Sequence, residues 1–342
     1  MSQFTAPAPP RPIHFVGYFD DPYAGAELEL VALAGLLSPL RPAQLWSVVP
    51  PHRHYAAQGV KAIQPFAGQF PKDGDLCWGG AHVPPAVWLK YARFGRVILH
   101  CNLASYERLF SLIEILRDTT LLEPELIFAS QALRLTAGLP GRVGYSLMDL
   151  EPFLQVGRAR SISPVNSLTV GRVSRDTPDK HHPQDPDLYR MLAANGWHVR
   201  VMGGTCLANQ LQGVEGVELL PSGVEAVADF LRTLDVFFYR TGSTVEAYGR
   251  VVPEAMASGL PVVAGRLGGY AEIMIPGETG LLVGSQEEAW NALEQLAGNP
   301  PLRHAMGQAA MHQAERLHGD AAIATALSAY QAAATSGRPR PL

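Results

Sequence analysis

Two glutamates, Glu246 and Glu254, stand in the segment Glu246-Ala-Tyr-Gly-Arg-Val-Val-Pro-Glu254-Ala-Met-Ala-Ser-Gly-Leu-Pro-Val-Val. Pro253 has no N–H to lose at a first helical position and Gly259 suits a left-handed stop. Their spacing therefore predicts a short helix with Glu254 in its first turn and Glu246 in the loop before it. A loop carboxylate followed by a helix-start carboxylate can hold two different parts of one ligand. The two oxygens of Glu254 are separated as needed to accept from vicinal hydroxyls. A carboxylate in a first turn is also favoured by the helix dipole with no function at all, so the pair by itself leaves both readings open.

The chain that must position these residues has 342 residues, more than one core usually organises, so two domains are expected. Between Pro-rich ends, where frayed tails are expected, short apolar runs alternate with helical patterns, the signature of βα units and parallel sheets. Strands are predicted at Ile13–Val16, Leu45–Val49, Leu76–Trp78, Val97–His100 and Leu126–Ala129, with a helix over 26–37. A second series follows at Ser167–Val170, Trp197–Met202, Val217–Leu220, Val236–Tyr239, Pro261–Val263 and Gly280–Val283. The pattern is interrupted across residues 150–166 by Glu151-Pro152-Phe153 and Arg158-Ala-Arg160. The expected organisation is α/β: one Rossmann-like domain over 12–155, a second over 156–318, and a helix over 319–335. That last helix either packs back on the first domain or caps the second. Ligands of open parallel sheets collect at the carboxyl ends of the strands, which puts both glutamates on the ligand side of the second domain.

Composition narrows the partners. With 27 basic and 31 acidic residues the net charge is −4, which gives no electrostatic footprint for nucleic acid. Cys77, Cys101 and Cys206 lie far apart and read as reduced thiols. No apolar run reaches the roughly 20 residues that span a bilayer and no leader pattern opens the chain, so a soluble, cytoplasmic protein is expected. His181 and His182 point apart on an extended segment with no third ligand spaced nearby, so no metal is expected. Trp88-Leu-Lys90-Tyr91-Ala-Arg93-Phe94-Gly-Arg96 mixes aromatics with cations. That suits peripheral contact with the inner membrane face, and equally a helix with its aromatics in the core.

After Glu254 the chain runs Ala255-Met256-Ala257-Ser258-Gly259-Leu260-Pro261-Val262-Val263, then Gly268-Gly269-Tyr270-Ala271-Glu272, then Pro276-Gly277-Glu278-Thr279-Gly280-Leu281-Leu282-Val283. This E-x7-E, EAMASGxPVV and GGxxE succession resembles the retaining, GT-B-fold glycosyltransferases of glycosyltransferase family four. The likeness is specific over the last half of the chain and looser before it. It implies the GT-B fold, two Rossmann-like domains whose parallel sheets face an interdomain cleft, and a nucleoside-diphosphate-sugar donor with neither cofactor nor metal. By resemblance Glu254 binds the ribose and Glu246 the transferred sugar. Tyr248, Gly249 and Arg250 follow, with Gly249 allowing close backbone approach to the diphosphate and Tyr248 matching a family aromatic or simply packing.

Gly171-Arg172-Val-Ser-Arg175-Asp-Thr-Pro-Asp-Lys180 resembles the family's G-R-x-S-x-x-K loop. Arg172 and Lys180 would there neutralise the departing diphosphate, stabilising charge that develops in the transition state. Lys180 sits later than the pattern places it, so Arg175 competes for its role. Tyr23-Ala24-Gly25-Ala26-Glu27 stands where the family has G-G-A-E, keeping Gly25 and replacing the glycine before it. His100 corresponds to a histidine placed against the donor sugar, although a strand-end histidine also reads as a core residue, and His82 is a second candidate. The function implied is retaining, metal-independent transfer of a hexose to a hydroxyl of a carbohydrate or lipid-linked glycan acceptor, in polysaccharide or glycoconjugate biosynthesis. A sugar-nucleotide epimerase or hydrolase of the same fold, or a non-catalytic glycan-binding relative, are the alternatives.

Overall fold

In the computed structural model, which describes residues 11–161 and 168–331, two parallel sheets carry the chain. The first contains β1 (Ile13–Gly17), β2 (Ala43–Ser47), β3 (Lys61–Ala62), β4 (Asp75–Trp78), β5 (Arg96–Cys101), β6 (Glu125–Phe128) and β7 (Arg142–Val143), in the order β3-β2-β1-β4-β5-β6-β7. The second contains β8 (Thr169–Val173), β9 (His198–Met202), β10 (Val217–Leu220), β11 (Val236–Tyr239), β12 (Val262–Gly265) and β13 (Gly280–Val283), in the order β10-β9-β8-β11-β12-β13. Every neighbouring pair is parallel. Each order reverses direction beside its first strand, at β1/β4 and at β8/β11, and such reversals open a crevice at the carboxyl ends of the strands.

The central strands are buried along their whole length, as in Ile13–Gly17 and in Val236–Tyr239. A parallel sheet is covered on both faces, which is why these strands read as continuous apolar runs. In the second sheet the cover includes Leu188, Tyr189 and Leu192 of the helix Asp185–Ala194 and Ala289, Leu293 and Leu296 of the helix Gln286–Ala297. Each large apolar side chain so buried contributes about 1.5 to 3 kcal/mol. The short edge strands β3 and β7 have no apolar run and were not predicted. The predicted Ser167 and most of both tails lie outside the described residues.

The chain divides into two compact units. Unit 1 holds the chain up to Ala129, Arg134–Leu147 and the chain from Ala324; unit 2 holds Ser130–Leu133 and Met148–Ile323. The expected interruption near residue 150 is instead a helix, Glu151–Arg158, with Pro152 in its first turn. It belongs to unit 2, where a Cβ on Gly157 would stand 2.5 Å from the Ala257 carbonyl oxygen. Arg160 follows, donating to the carbonyls of Ser258, Leu231 and Leu234 at 3.0, 2.9 and 2.7 Å. Together they brace the helix Val251–Ala257 that carries Glu254. The helix Asp320–Gln331 ends in unit 1, where Arg41 donates to the Tyr330 carbonyl at 2.8 Å and Arg96 to that of Ala329 at 2.8 Å. No described helix is long and apolar enough to cross a membrane.

Candidate functional site

Unit 2 gathers its polar residues at the β8/β11 reversal. β8 ends at Val173, and the chain turns through Pro178–Lys180 to bring the Lys180 Nζ 2.6 Å from Glu246 Oε1. The hydroxyl of Tyr239, the last residue of β11, donates to the same oxygen at 2.9 Å. Two further contacts tie the loops bearing Lys180 and Glu246 together. Thr244 Oγ1 donates to Asp179 Oδ2 at 2.6 Å, and a Cβ on Gly242 would lie 2.4 Å from the His181 carbonyl oxygen. Gly269 N–H donates to the Glu246 carbonyl at 2.8 Å. A Cβ there would be 2.0 Å from the Ala247 carbonyl oxygen, so only glycine lets this turn seat against the Glu246 loop. Glu272, which closes the GGxxE run, accepts from the backbone N–H groups of Gln131 and Ala132 at 2.8 and 3.1 Å.

Beneath this surface lies a charged cluster that sequence reading did not assemble. Arg172 is wholly buried. It donates to the carbonyls of Lys180 at 2.6 Å and Arg240 at 2.8 Å and to Asp185 Oδ2 at 3.3 Å, with its Cζ 4.7 Å from the Tyr239 ring centroid. Asp185 Oδ1 accepts from Arg240 Nε and Nη2 at 2.9 and 2.6 Å. Arg172 was expected to face the diphosphate; with its guanidinium spent on backbone and on Asp185, it instead supports the loop that carries Lys180. Asp185 opens a helix, where an acidic residue is commonplace, so nothing in the sequence marked it.

The helix Val251–Ala257 forms where predicted, with Glu254 in its first turn and Gly259 left-handed at φ 69°. Pro253 is its third residue, not its first. Burial pushes the Glu254 carboxyl up to about 7, against the pull of Arg250. Arg250 occupies the N-cap position, without a side-chain capping bond, and is half-buried. Arg175 is exposed at the loop surface.

Other assignments move. Tyr248 is buried with its hydroxyl 2.5 Å from His318 Nε2, so it packs and does not face a ligand. Gly249 is left-handed at φ 80°, and a Cβ there would meet the Tyr270 ring at 2.8 Å; its demand is internal. Gly171 lies inside β8 under Leu234, whose side chain a Cβ would meet at 2.5 Å. His181 is buried with Nε2 2.9 Å from the Gly203 carbonyl oxygen, and burial pushes its pKa down to about 4.

In unit 1, His100 is 3% exposed and its Nε2 lies 2.8 Å from the Tyr330 hydroxyl, with Glu29 3.7 Å from Nδ1. Burial pushes its pKa down to about 4, so it is a neutral core residue and not a sugar contact. The β1/β4 reversal carries a different pair: His82 Nε2 is 3.1 Å from Oε1 of the buried Glu27, which also accepts from Tyr18 N–H at 3.3 Å. The His82 ring stacks on Tyr18, and its side chain keeps 28% of its surface exposed. Gly25 is the exposed first residue of the helix Gly25–Leu37 that holds Glu27. Trp88 is buried against Trp78 and Phe70, while Val87 and Tyr91 are 69% and 71% exposed.

The comparisons fall on this same geometry. Residues 158–313 match the family model of Glycosyl transferases group 1. The group 1 segment contains Arg172, Lys180, Asp185, Tyr239, Glu246 and Glu254. A D-inositol 3-phosphate glycosyltransferase of Streptomyces coelicolor is 38% identical over 122 residues, 35% of this chain and 26% of that protein. Another, from Corynebacterium diphtheriae, is 45% identical over 92 residues, 23% of this chain and 22% of that protein. The matched stretch is thus about a quarter of these relatives' length. Among solved structures, Anabaena HepE in complex with UDP and glucose superposes with a TM-score of 0.70 at 18% identity, over 94% of this chain and 98% of that one. Sucrose-phosphate synthase from Thermosynechococcus elongatus superposes at 0.69 with 16% identity, over 94% and 98%. The fold is the expected one, two α/β units each on a parallel sheet, as in the GT-B glycosyltransferases.

Proposed function

We propose that this chain transfers a hexose from a nucleoside-diphosphate sugar to a hydroxyl of a carbohydrate or lipid-linked glycan acceptor, with retention at the anomeric carbon and without a metal. The observation that carries the reading is the meeting of Lys180 and Glu246 at 2.6 Å beside the β8/β11 reversal, with Glu254 in the first turn of the helix that follows Glu246 in the chain. A lysine there can neutralise a departing diphosphate, and a glutamate on the same loop surface can hold sugar hydroxyls. Glu254 takes the ribose diol. The names of the relatives and the UDP and glucose in the HepE complex agree with such a donor. Retention and the acceptor class are carried by the motif resemblance.

The same reading extends to a docking face on unit 1, where the exposed Val87, Lys90, Tyr91 and Arg93 follow one another in the chain and Arg93 N–H donates to the carbonyl of the exposed Lys72. Aromatic tips among cations suit an anionic membrane surface and lipid-linked acceptors.

The test is turnover on a panel of nucleotide sugars with and without carbohydrate acceptors, in buffer and in EDTA, reading the product's anomeric proton by NMR. An α-linked product in both buffers is the expected result. Donor breakdown indifferent to acceptor would replace transfer with hydrolysis, and activity abolished by chelator would overturn the metal-independent mechanism.

A further inference from the structure

Asp185 is fully buried, so no ligand can reach it. Its carboxylate nevertheless stands at one end of a chain of contacts that finishes at the surface of the proposed donor site. It accepts from Arg172 and Arg240 at 3.3 and 2.6 Å. Arg172 in turn holds the Lys180 carbonyl at 2.6 Å and lies over the Tyr239 ring. Lys180 Nζ and the Tyr239 hydroxyl then converge on one oxygen of Glu246, at 2.6 and 2.9 Å. The contacts close a ring in which Arg172 governs both the backbone of the cation and the aromatic plate that fixes its counter-ion. Exposure rises along it: the side chains of Asp185 and Arg172 are 0% and 1% exposed, those of Lys180 and Glu246 9% and 16%.

We propose that Asp185 is a positioning residue for binding of the donor's diphosphate, acting through Arg172 to place Lys180; this rests on the donor-site reading of Lys180 above. The physical reason is charge. Two guanidinium groups meet in a dry space with one carboxylate between them. Without that carboxylate they repel at close range where water cannot screen them, and an uncompensated buried charge is strongly unfavourable. Of the two, it is Arg172 that also holds the Lys180 carbonyl and lies over the Tyr239 ring. Its displacement releases the Lys180 carbonyl and the Tyr239 ring together.

The test is calorimetric titration of the full chain with inorganic pyrophosphate and with uridine diphosphate, in Asp185→Asn, Lys180→Ala and the double variant. The expected result is that folded Asp185→Asn loses about tenfold or more in affinity for both anions, on the scale of a small misplacement in a preorganised site. The double variant should be no weaker than Lys180→Ala alone, since coupled residues fail to add. Unchanged affinity in folded Asp185→Asn overturns the proposal, and so do losses that add fully, because Asp185 would then act independently of Lys180. If Asp185→Asn does not fold, Arg172→Lys takes its place in the same cycle: it keeps a cation beside Asp185 but cannot also reach the Lys180 carbonyl. The same coupled loss supports the proposal, and full affinity or additivity overturns it. A Lys180→Ala variant that binds both anions like the wild type is a separate result, which removes the donor-site reading itself.

Discussion

Both sheets place a carboxylate and a basic side chain at their reversal points, but they build the pair differently. In unit 2 Lys180 and Glu246 meet at 2.6 Å on loops, held from below by Arg172, Asp185 and Tyr239. In unit 1 the carboxylate is the buried partner: Glu27 is fixed by its helix and by Tyr18 N–H, and the half-exposed His82 leans on it. A lysine anchored by a charged network is a fixed cation suited to an anionic leaving group. An imidazole oriented by one buried carboxylate suits hydroxyls. The contrast suits unit 2 to an anionic group and unit 1 to a neutral one.

The largest expected effect tests the cation. Lys180→Ala should lower turnover by about 100-fold or more, as removal of one preorganised charge partner does. Steady-state kinetics would detect it, and full activity there with the loss appearing in Arg175→Ala would move the role to Arg175. Next is the ribose contact. Glu254→Ala should cost about 1.5 to 3 kcal/mol of nucleotide affinity. Because burial pushes this carboxyl up to about 7, its acceptor form grows as pH rises through 7, and wild-type nucleotide affinity should rise with it. A pH series of titrations in which wild type and Glu254→Ala share one slope would remove Glu254 from the site.

A smaller effect has the opposite sign. Glu246 already occupies Lys180, so an incoming anion must compete with it. Glu246→Gln should therefore bind free nucleoside diphosphate somewhat more tightly while turning over more slowly. Weaker binding would mean that the carboxylate supports the cation more than it masks it.

The smallest effects belong to unit 1. His82→Ala should slow transfer yet leave nucleotide affinity within about twofold, the scale of an uncoupled site. His100→Ala should instead lower the melting temperature, through an unpaired Tyr330 hydroxyl worth about 1 to 3 kcal/mol. His100 and His181 are both held well below 6.5, at about 4, by burial. The unfolded chain takes up those protons first, so the stability they give is present above pH 6.5 and is lost as pH falls towards 4. Denaturant midpoints across that range would show the loss.

What could be read from sequence follows the reach of each signal. Buried parallel strands announce themselves as apolar runs, and so β1, β4, β8 and β11 lie where expected to within a few residues. Pro253, Gly259 and the Gly268-Gly269 turn carry backbone signals, which is why the Glu254 helix and its neighbours were legible. Side-chain direction carries none. Arg172, Tyr248, Gly171 and His100 fit a motif by position, yet three-dimensional packing turns each of them inward. Asp185 and Tyr239 were missed for the complementary reason. Their importance lies in partners separated from them by many residues, and no local pattern records that.

The last feature is the fate of Tyr330. Its carbonyl and hydroxyl are claimed by Arg41 and His100, so unit 1, whose strands precede those of unit 2 in the chain, is completed by a residue made after unit 2. Until Tyr330 has been synthesised, Arg41 and His100 lack that partner, while unit 2 already has all of its own residues. The order of synthesis and the order of consolidation are therefore inverted: the second half can settle first. Shortening the chain before Tyr330 should injure the half that was made earliest.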